Sequence, residues 1–297
     1  RPPTATRRNM ASPTSSPPLA HTVEGDVNAA RTLLFLQGWP DDATVWDSAV
    51  AALKDAYRIV RVTLPNHGGA VDARFGISFD ETTRRVRATV EATRRRPDER
   101  YTVIGHDWGA AYANLFERQH TECVSHLVLL DIGGHMQRSL RATLFVMAYQ
   151  WWLVAAFLVG QLVPALGDAM TRWMARVFRA PLVRANPARV TSYMNYPYFR
   201  MWAALLTGRG NPLVVRRAPP PPGVAAPRDK VAPAVPTLFM WGRKKPIMFH
   251  SQRWLDAVLS VGGCSAVKEL PSGHWLQRDP AFNDSLVAWL TTAHAKL

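Results

Sequence analysis

Tyr101-Thr-Val-Ile-Gly105-His106-Asp107-Trp108-Gly109-Ala110 is the stretch that decides the fold. Its first residues form an apolar, β-branched run of buried-strand length, and residues 108–119 have the composition of a helix. Only a short glycine-framed step separates the two. A strand that passes so abruptly into a helix holds the intervening residue at a strained turn with its side chain displayed. Glycine is needed at 105 and 109 because a side chain there would collide with the strand-to-helix crossing. The displayed residue is an aspartate, Asp107.

Working outward, residues 32–37, 57–64 and 127–130 also read as strands, with helices over 46–54, 79–95 and 108–119. The rhythm resumes after Pro236 with strands at 237–241 and 265–270 and helices at 252–259 and near 282–293. Apolar strands alternating with helices predict an α/β fold with a mostly parallel, doubly wound sheet. The expected organisation is a disordered or transit-like tail over 1–22, a sheet-bearing core from 23–134 and 237–297, and a helical insertion over 135–236. That insertion ends in a Pro-rich connector over 212–236, which is stiff and extended rather than helix or strand.

With 297 residues, 47% of them hydrophobic and 20% charged, the chain can bury a sizeable core, which excludes a disordered or collagen-like protein. The net charge of +14 is unevenly placed. Residues 1–134 hold 16 basic and 16 acidic side chains, residues 237–297 hold 7 and 4, and the insertion holds 13 and only 2. No phosphate-cradling glycine loop or nucleic-acid module accompanies that charge, so a nucleic-acid partner is not expected. An anionic membrane surface or an acidic protein partner remains, reached through the basic insertion. Residues 142–167 carry no charge, which leaves open a membrane span, an interfacial helix or a helix buried in the protein. Cys123 and Cys264 read as reduced core thiols, and no metal-ligand spacing is present. The chain begins at Arg1, and residues 1–20 contain three Arg, five Pro, six Ser or Thr and no acid. Both an organellar (mitochondrial) transit remnant and an ordinary tail have that composition; without such targeting a cytoplasmic location is expected.

Three further motifs stand in a meaningful order around Asp107. Leu36-Gln37-Gly38-Trp39-Pro40 follows the first strong strand, Leu64-Pro65-Asn66-His67-Gly68-Gly69 follows the next, and Ser272-Gly273-His274-Trp275 follows the last. With these, residues 32–289 resemble the α/β-hydrolase superfamily, and within it the branch of epoxide hydrolases and haloalkane dehalogenases, which carry Asp followed by Trp at the turn. The insertion corresponds to that family's cap.

The resemblance implies a cofactor-independent hydrolase acting on a small hydrophobic substrate. Asp107 would attack an epoxide or alkyl-halide carbon to form an ester. The backbone N–H groups of Trp39 and Trp108 would form the oxyanion hole, and His274 would be the base for water. Cap tyrosines donate to the epoxide oxygen in this branch. Tyr149 fits one position, and Tyr196 or Tyr198 the other, although a cap aromatic can equally be core. Trp39 replaces the Asn that one dehalogenase branch uses for halide, which favours the epoxide reading. Gln37 stands for the usual histidine of the oxyanion loop.

One position breaks the pattern. Where the family places its acid, Trp241-Gly242-Arg243-Lys244-Lys245-Pro246 offers Lys245. A lysine cannot accept from His274, and its charge would oppose an imidazolium. Asp131, in Val128-Leu-Leu-Asp131-Ile-Gly133, is a substitute, as in some dehalogenases, or else a carboxylate that binds loop amides. Without it the chain would be a catalytically reduced accessory subunit of an organellar membrane complex. Contact between Asp131 and His274 is the observation that separates the two readings.

Overall fold

The computed structural model describes residues 16–136, 139–219, 227 and 229–295. The chain runs β1 (His21–Gly25), β2 (Thr32–Leu36), α1 (Asp47–Leu53), β3 (Arg58–Val62), α2 (Phe79–Thr93), β4 (Tyr101–His106), α3 (Trp108–Gln119) and β5 (Val124–Leu130). It continues through α4 (Leu140–Leu162), α5 (Pro164–Val177), α6 (Pro181–Ala185) and α7 (Tyr196–Leu206), then returns as β6 (Thr237–Gly242), α8 (Gln252–Ser260), β7 (Ala266–Leu270) and α9 (Ala281–His294).

The strands form one sheet in the order β1-β3-β2-β4-β5-β6-β7. Every pairing is parallel except that of β1 with β3, where His21 faces Val62. Side-chain alternation splits the central strands between two cores. From β2, Leu33 and Phe35 meet Trp46 ahead of α1 and Phe282 and Leu286 of α9, whereas Leu34 and Leu36 join Val86 of α2 and Phe116 of α3. Both faces are therefore dry, and this is why the strands read as unbroken apolar runs. The chain order reverses beside β2, flanked by β3 and β4, so the loops leaving β2 and β4 open side by side at one end. A ligand crevice forms at such a switch.

Two details depart from the sequence expectation. β1 begins at His21, and Leu19 is already buried with its N–H on Thr89 Oγ1 at 2.9 Å, so the end of the stretch read as tail is structured. β1 escapes a pattern search because its edge position leaves it partly exposed and unalternating. The start of that tail, residues 1–15, and residues 220–226 and 228 of the Pro-rich connector lie outside the described residues. The other departure concerns the uncharged run, which breaks at Pro164; proline has no N–H to continue α4 and instead starts α5. The run is thus a helical hairpin. Among the described residues α4 alone has the length and composition to cross a membrane, but Leu153, Val154, Ala156, Phe157 and Gly160 bury one side of it within the protein.

Candidate active site

Asp107 sits at φ 53°, ψ −123°, between the end of β4 and the start of α3. Such a conformation is costly for a residue with a Cβ, and the packing on both sides holds it in place. A Cβ at Gly105 would lie 2.4 Å from Gly109 O, and one at Gly109 would lie 2.0 Å from Leu36 O, which confirms the reason given for the two glycines. The Trp39 N–H donates to Asp107 Oδ1 at 2.7 Å. The Trp108 N–H belongs to the first turn of α3, where backbone donors have no intrahelical acceptor. Beneath this loop the Gln37 amide bridges two strand ends, its nitrogen donating to Val62 O at 2.6 Å and its oxygen accepting from the Leu64 N–H at 2.8 Å. Gln37 thus fixes the loop that bears Trp39.

His274 follows β7 and reaches across to both carboxylates. Its Nε2 lies 3.4 Å from Asp107 Oδ2 and its Nδ1 lies 2.5 Å from Asp131 Oδ2. Asp131 is fully buried at the end of β5, and its other oxygen, Oδ1, accepts the Gly242 N–H at 3.2 Å and the Lys245 ammonium. Lys245 therefore does not stand against His274. It turns its charge onto Asp131 instead. Burial alone would raise the Asp131 pKa, but His274 and Lys245 outweigh it and hold the carboxylate below its usual range. Burial likewise opposes the His274 imidazolium, yet Asp131 and Asp107 raise its pKa to about 9. Behind it, His106 Nε2–H donates to His274 O at 2.9 Å, and burial lowers the His106 pKa to about 4, so that ring is neutral.

A cavity of about 740 Å³ opens over Asp107 and His274. Its cap side is built by Phe145, Tyr149, Phe178 and Tyr198. The Tyr149 and Tyr198 rings meet nearly perpendicularly at 6.1 Å, and Trp39 and Trp108 pack edge-on against Tyr198. Burial first, and then the Asp107 charge, push both phenols above the ordinary tyrosine range, so each hydroxyl keeps its proton. Tyr196 is a correction to the sequence reading. It lies outside this cavity, with its ring against Gly76 and His67 and its hydroxyl 3.5 Å from that of Tyr112. Tyr196 and Tyr198 are two apart at the start of a helix, so their side chains diverge and only one can face the site.

Sequence reasoning missed Phe178, which bridges Trp39 and Tyr149 with ring separations of 6.2 and 5.4 Å, because no motif surrounds it. It also missed Asp41. That buried carboxyl accepts from Trp275 Nε1 at 2.5 Å and faces the Leu182 N–H of the cap at 3.4 Å, and burial raises its pKa to about 7. Its one sequence signal was position, two residues after Trp39. The Trp39 indole N–H is engaged by Asn195 Oδ1 at 2.7 Å. Among the described residues no cluster of three or more His, Cys, Asp or Glu side chains is arranged to hold a metal ion.

Residues 33–282 match the profile of the alpha/beta hydrolase family, and the chain belongs to that family. A serine hydrolase-like protein of Danio rerio is 30% identical over 138 residues, 45% of this chain and 41% of the relative. A soluble epoxide hydrolase of Corynebacterium sp. is 28% identical over 100 residues, 34% of each chain. The chain thus spans well under half the length of these curated relatives. Among solved structures, the Bacillus megaterium epoxide hydrolase in complex with an inhibitor superposes with a TM-score of 0.66 at 16% identity, covering 92% of this chain and 96% of that one. At that identity the likeness describes the fold.

Proposed function

We propose that this hydrolase-fold chain opens an epoxide through an ester on Asp107, with His274 and Asp131 completing the site and with no cofactor; an alkyl halide would serve as substrate by the same attack. The observation that carries the reading is the joint engagement of Asp107, with Oδ1 on the Trp39 N–H at 2.7 Å and Oδ2 3.4 Å from His274 Nε2. One oxygen is held in the oxyanion hole, which leaves the other to attack.

Asp107 Oδ2 attacks an epoxide carbon and that carbon's bond to the ring oxygen breaks. The Tyr149 and Tyr198 hydroxyls donate to the oxygen as it becomes an alkoxide, and the proton that His274 carries in the free site completes the alcohol and leaves the imidazole neutral. Ester formation removes the Asp107 charge, one of the two charges that raise His274, so the imidazole loses its proton more readily when it must act as base. Water then attacks Asp107 Cγ and gives a proton to His274 Nε2. The Trp39 and Trp108 N–H groups stabilise the resulting oxyanion. Its collapse expels the diol as an alkoxide that takes the proton from His274, and the Asp107 carboxylic acid so formed gives its own proton to His274, which restores the carboxylate and the imidazolium.

The contact between Asp131 and His274 favours this chemistry over a catalytically reduced accessory role. The engaged Trp39 indole and the two tyrosines favour epoxide over halide. In a panel of aryl and aliphatic epoxides and haloalkanes, turnover should be found with the unmodified chain and be lost in Asp107→Ala. A first turnover in oxygen-labelled water should place the label in the Asp107 carboxylate rather than in the diol. Direct labelling of the diol, with no ester on the protein, would overturn the mechanism.

A further inference from the structure

The outward face of the cap is apolar over the whole length of α4. Leu140, Leu144, Met147, Trp151, Leu158 and Leu162 recur at three-, four- and seven-residue spacing and are all exposed, Leu144 at 58% and Leu162 at 84%. Over 23 residues that stripe runs roughly 34 Å at the rise of an α-helix. Neighbouring helices extend it. Trp152 packs on the exposed Trp173 of α5 at 4.8 Å, and Trp151 packs on Trp202 of α7 at 4.9 Å, beside the exposed Leu205 and Leu206. Monomeric proteins seldom expose so long a continuous apolar surface without a partner.

The charge around this face indicates which partner. Arg141, Arg176, Arg179 and Arg209 are exposed on the same helices or at their ends, and none of them pairs with a carboxylate among the described residues. The two acids of the insertion are both taken, Asp168 by Ser192 and Arg172 and Asp229 by Arg253. A second copy of the chain is a poor occupant, because a symmetric dimer through this face would set two strongly basic caps against each other. A bilayer surface accepts smooth aliphatic side chains without hydrogen-bond complements, favours tryptophan at its boundary and, where anionic, attracts unpaired arginine.

We propose that the outer face of α4, α5 and the end of α7 docks the chain on an anionic phospholipid surface, lying in the interface without crossing it. The opposite side of α4 is packed into the protein, so it cannot span. Val177 belongs to the exposed apolar surface and, with Arg179, also lines the catalytic cavity. The cavity mouth therefore opens at the rim of the docking face.

The test is flotation of the full chain with vesicles of phosphatidylcholine alone and of phosphatidylcholine mixed with phosphatidylglycerol, at low salt and at about 1 M salt, where charges are screened beyond about 3 Å. The unmodified chain should float with the mixed vesicles at low salt and bind them several-fold less well at high salt or without the anionic lipid. Leu144→Glu with Leu158→Glu, both exposed, should weaken binding at least about tenfold while leaving the unfolding transition in place. Arg141→Glu with Arg176→Glu should remove the preference for the anionic lipid. Failure of the unmodified chain to float at low salt would overturn the proposal. So would vesicle binding indifferent to the glutamates and abolished by polyglutamate, the signature of an acidic protein site, or a stable dimer in sedimentation that the glutamates disperse.

Discussion

Asp131 Oδ2 lies 2.5 Å from His274 Nδ1 across 143 positions of sequence, and Nδ1 must carry the proton it donates to that carboxylate. Nε2 is then presented to Asp107, so one contact fixes both the tautomer and the direction of the ring. Asp131→Asn keeps the size of the side chain but loses the charge that helps raise His274, and its amide can present a donor to Nδ1. Turnover of an epoxide should fall by about 10³-fold or more, with the loss in ester hydrolysis rather than in ester formation. Intact-protein mass measured after mixing with substrate should therefore show the Asp107 ester accumulating. A rate within about tenfold of the unmodified chain would deny Asp131 this role.

Lys245 acts one step further out. Burial lowers its pKa, Asp131 partly restores it, and the pair meets beside the Phe249 ring, with Nζ 5.3 Å from the centroid. Lys245→Met removes a positive charge near the Asp131 and His274 pair, so His274 should hold its proton more tightly. The limb of the pH–rate profile that depends on neutral His274 should then shift to higher pH. Stability should fall as well, by about 3–5 kcal/mol, because Asp131 is left buried with one partner fewer. A stability loss without movement of the pH limb would make Lys245 purely structural.

Much of this was legible in the sequence because the relevant forces are local. The Gly105, Asp107 and Gly109 frame is a steric requirement of one turn, and the central strands are apolar throughout because both sheet faces are covered. Asp131 could be named but not joined to His274, since no local pattern reveals the pairing that sets β5 beside β6 and β6 beside β7 and so brings the two loops together. Lys245 misled for the same reason: the direction of its charge depends on a partner more than a hundred residues away. Tyr196 and Tyr198 were inseparable without the orientation of α7 in the cap. Phe178 had no local signal at all, and Asp41 had only its place two residues after Trp39.

The two tyrosines that line the cavity should separate from the one that does not. Under the proposed mechanism, Tyr149→Phe and Tyr198→Phe each remove a donor to the developing alkoxide and should lower the rate of ester formation by roughly 10- to 100-fold, with less effect on hydrolysis. Tyr196→Phe removes only the hydroxyl near Tyr112 and should leave that rate nearly unchanged, with a stability change of about 1 kcal/mol. Rapid-mixing measurements of ester appearance in the three variants make the comparison. A loss in Tyr196→Phe equal to that of the other two would contradict the cavity geometry.

Asp41 supplies a pH dependence of stability that is separate from catalysis. Burial raises its pKa from 3.8 to about 7, so the folded chain keeps this proton where the unfolded chain has lost it. Folding is favoured most below the unfolded value, and that advantage is lost progressively as pH rises from about 4 through about 7. The full loss is of the order of 4 kcal/mol, since each pKa unit corresponds to about 1.4 kcal/mol. Asp41→Asn cannot ionise but retains an oxygen to accept the Trp275 indole N–H. Relative to the unmodified chain it should gain stability between about pH 5 and pH 8, as measured by chemical denaturation at both values. The other titrating groups are common to the two proteins and cancel in the difference. A stability difference that does not vary with pH would show that the Asp41 carboxyl ionises at its ordinary value despite its burial.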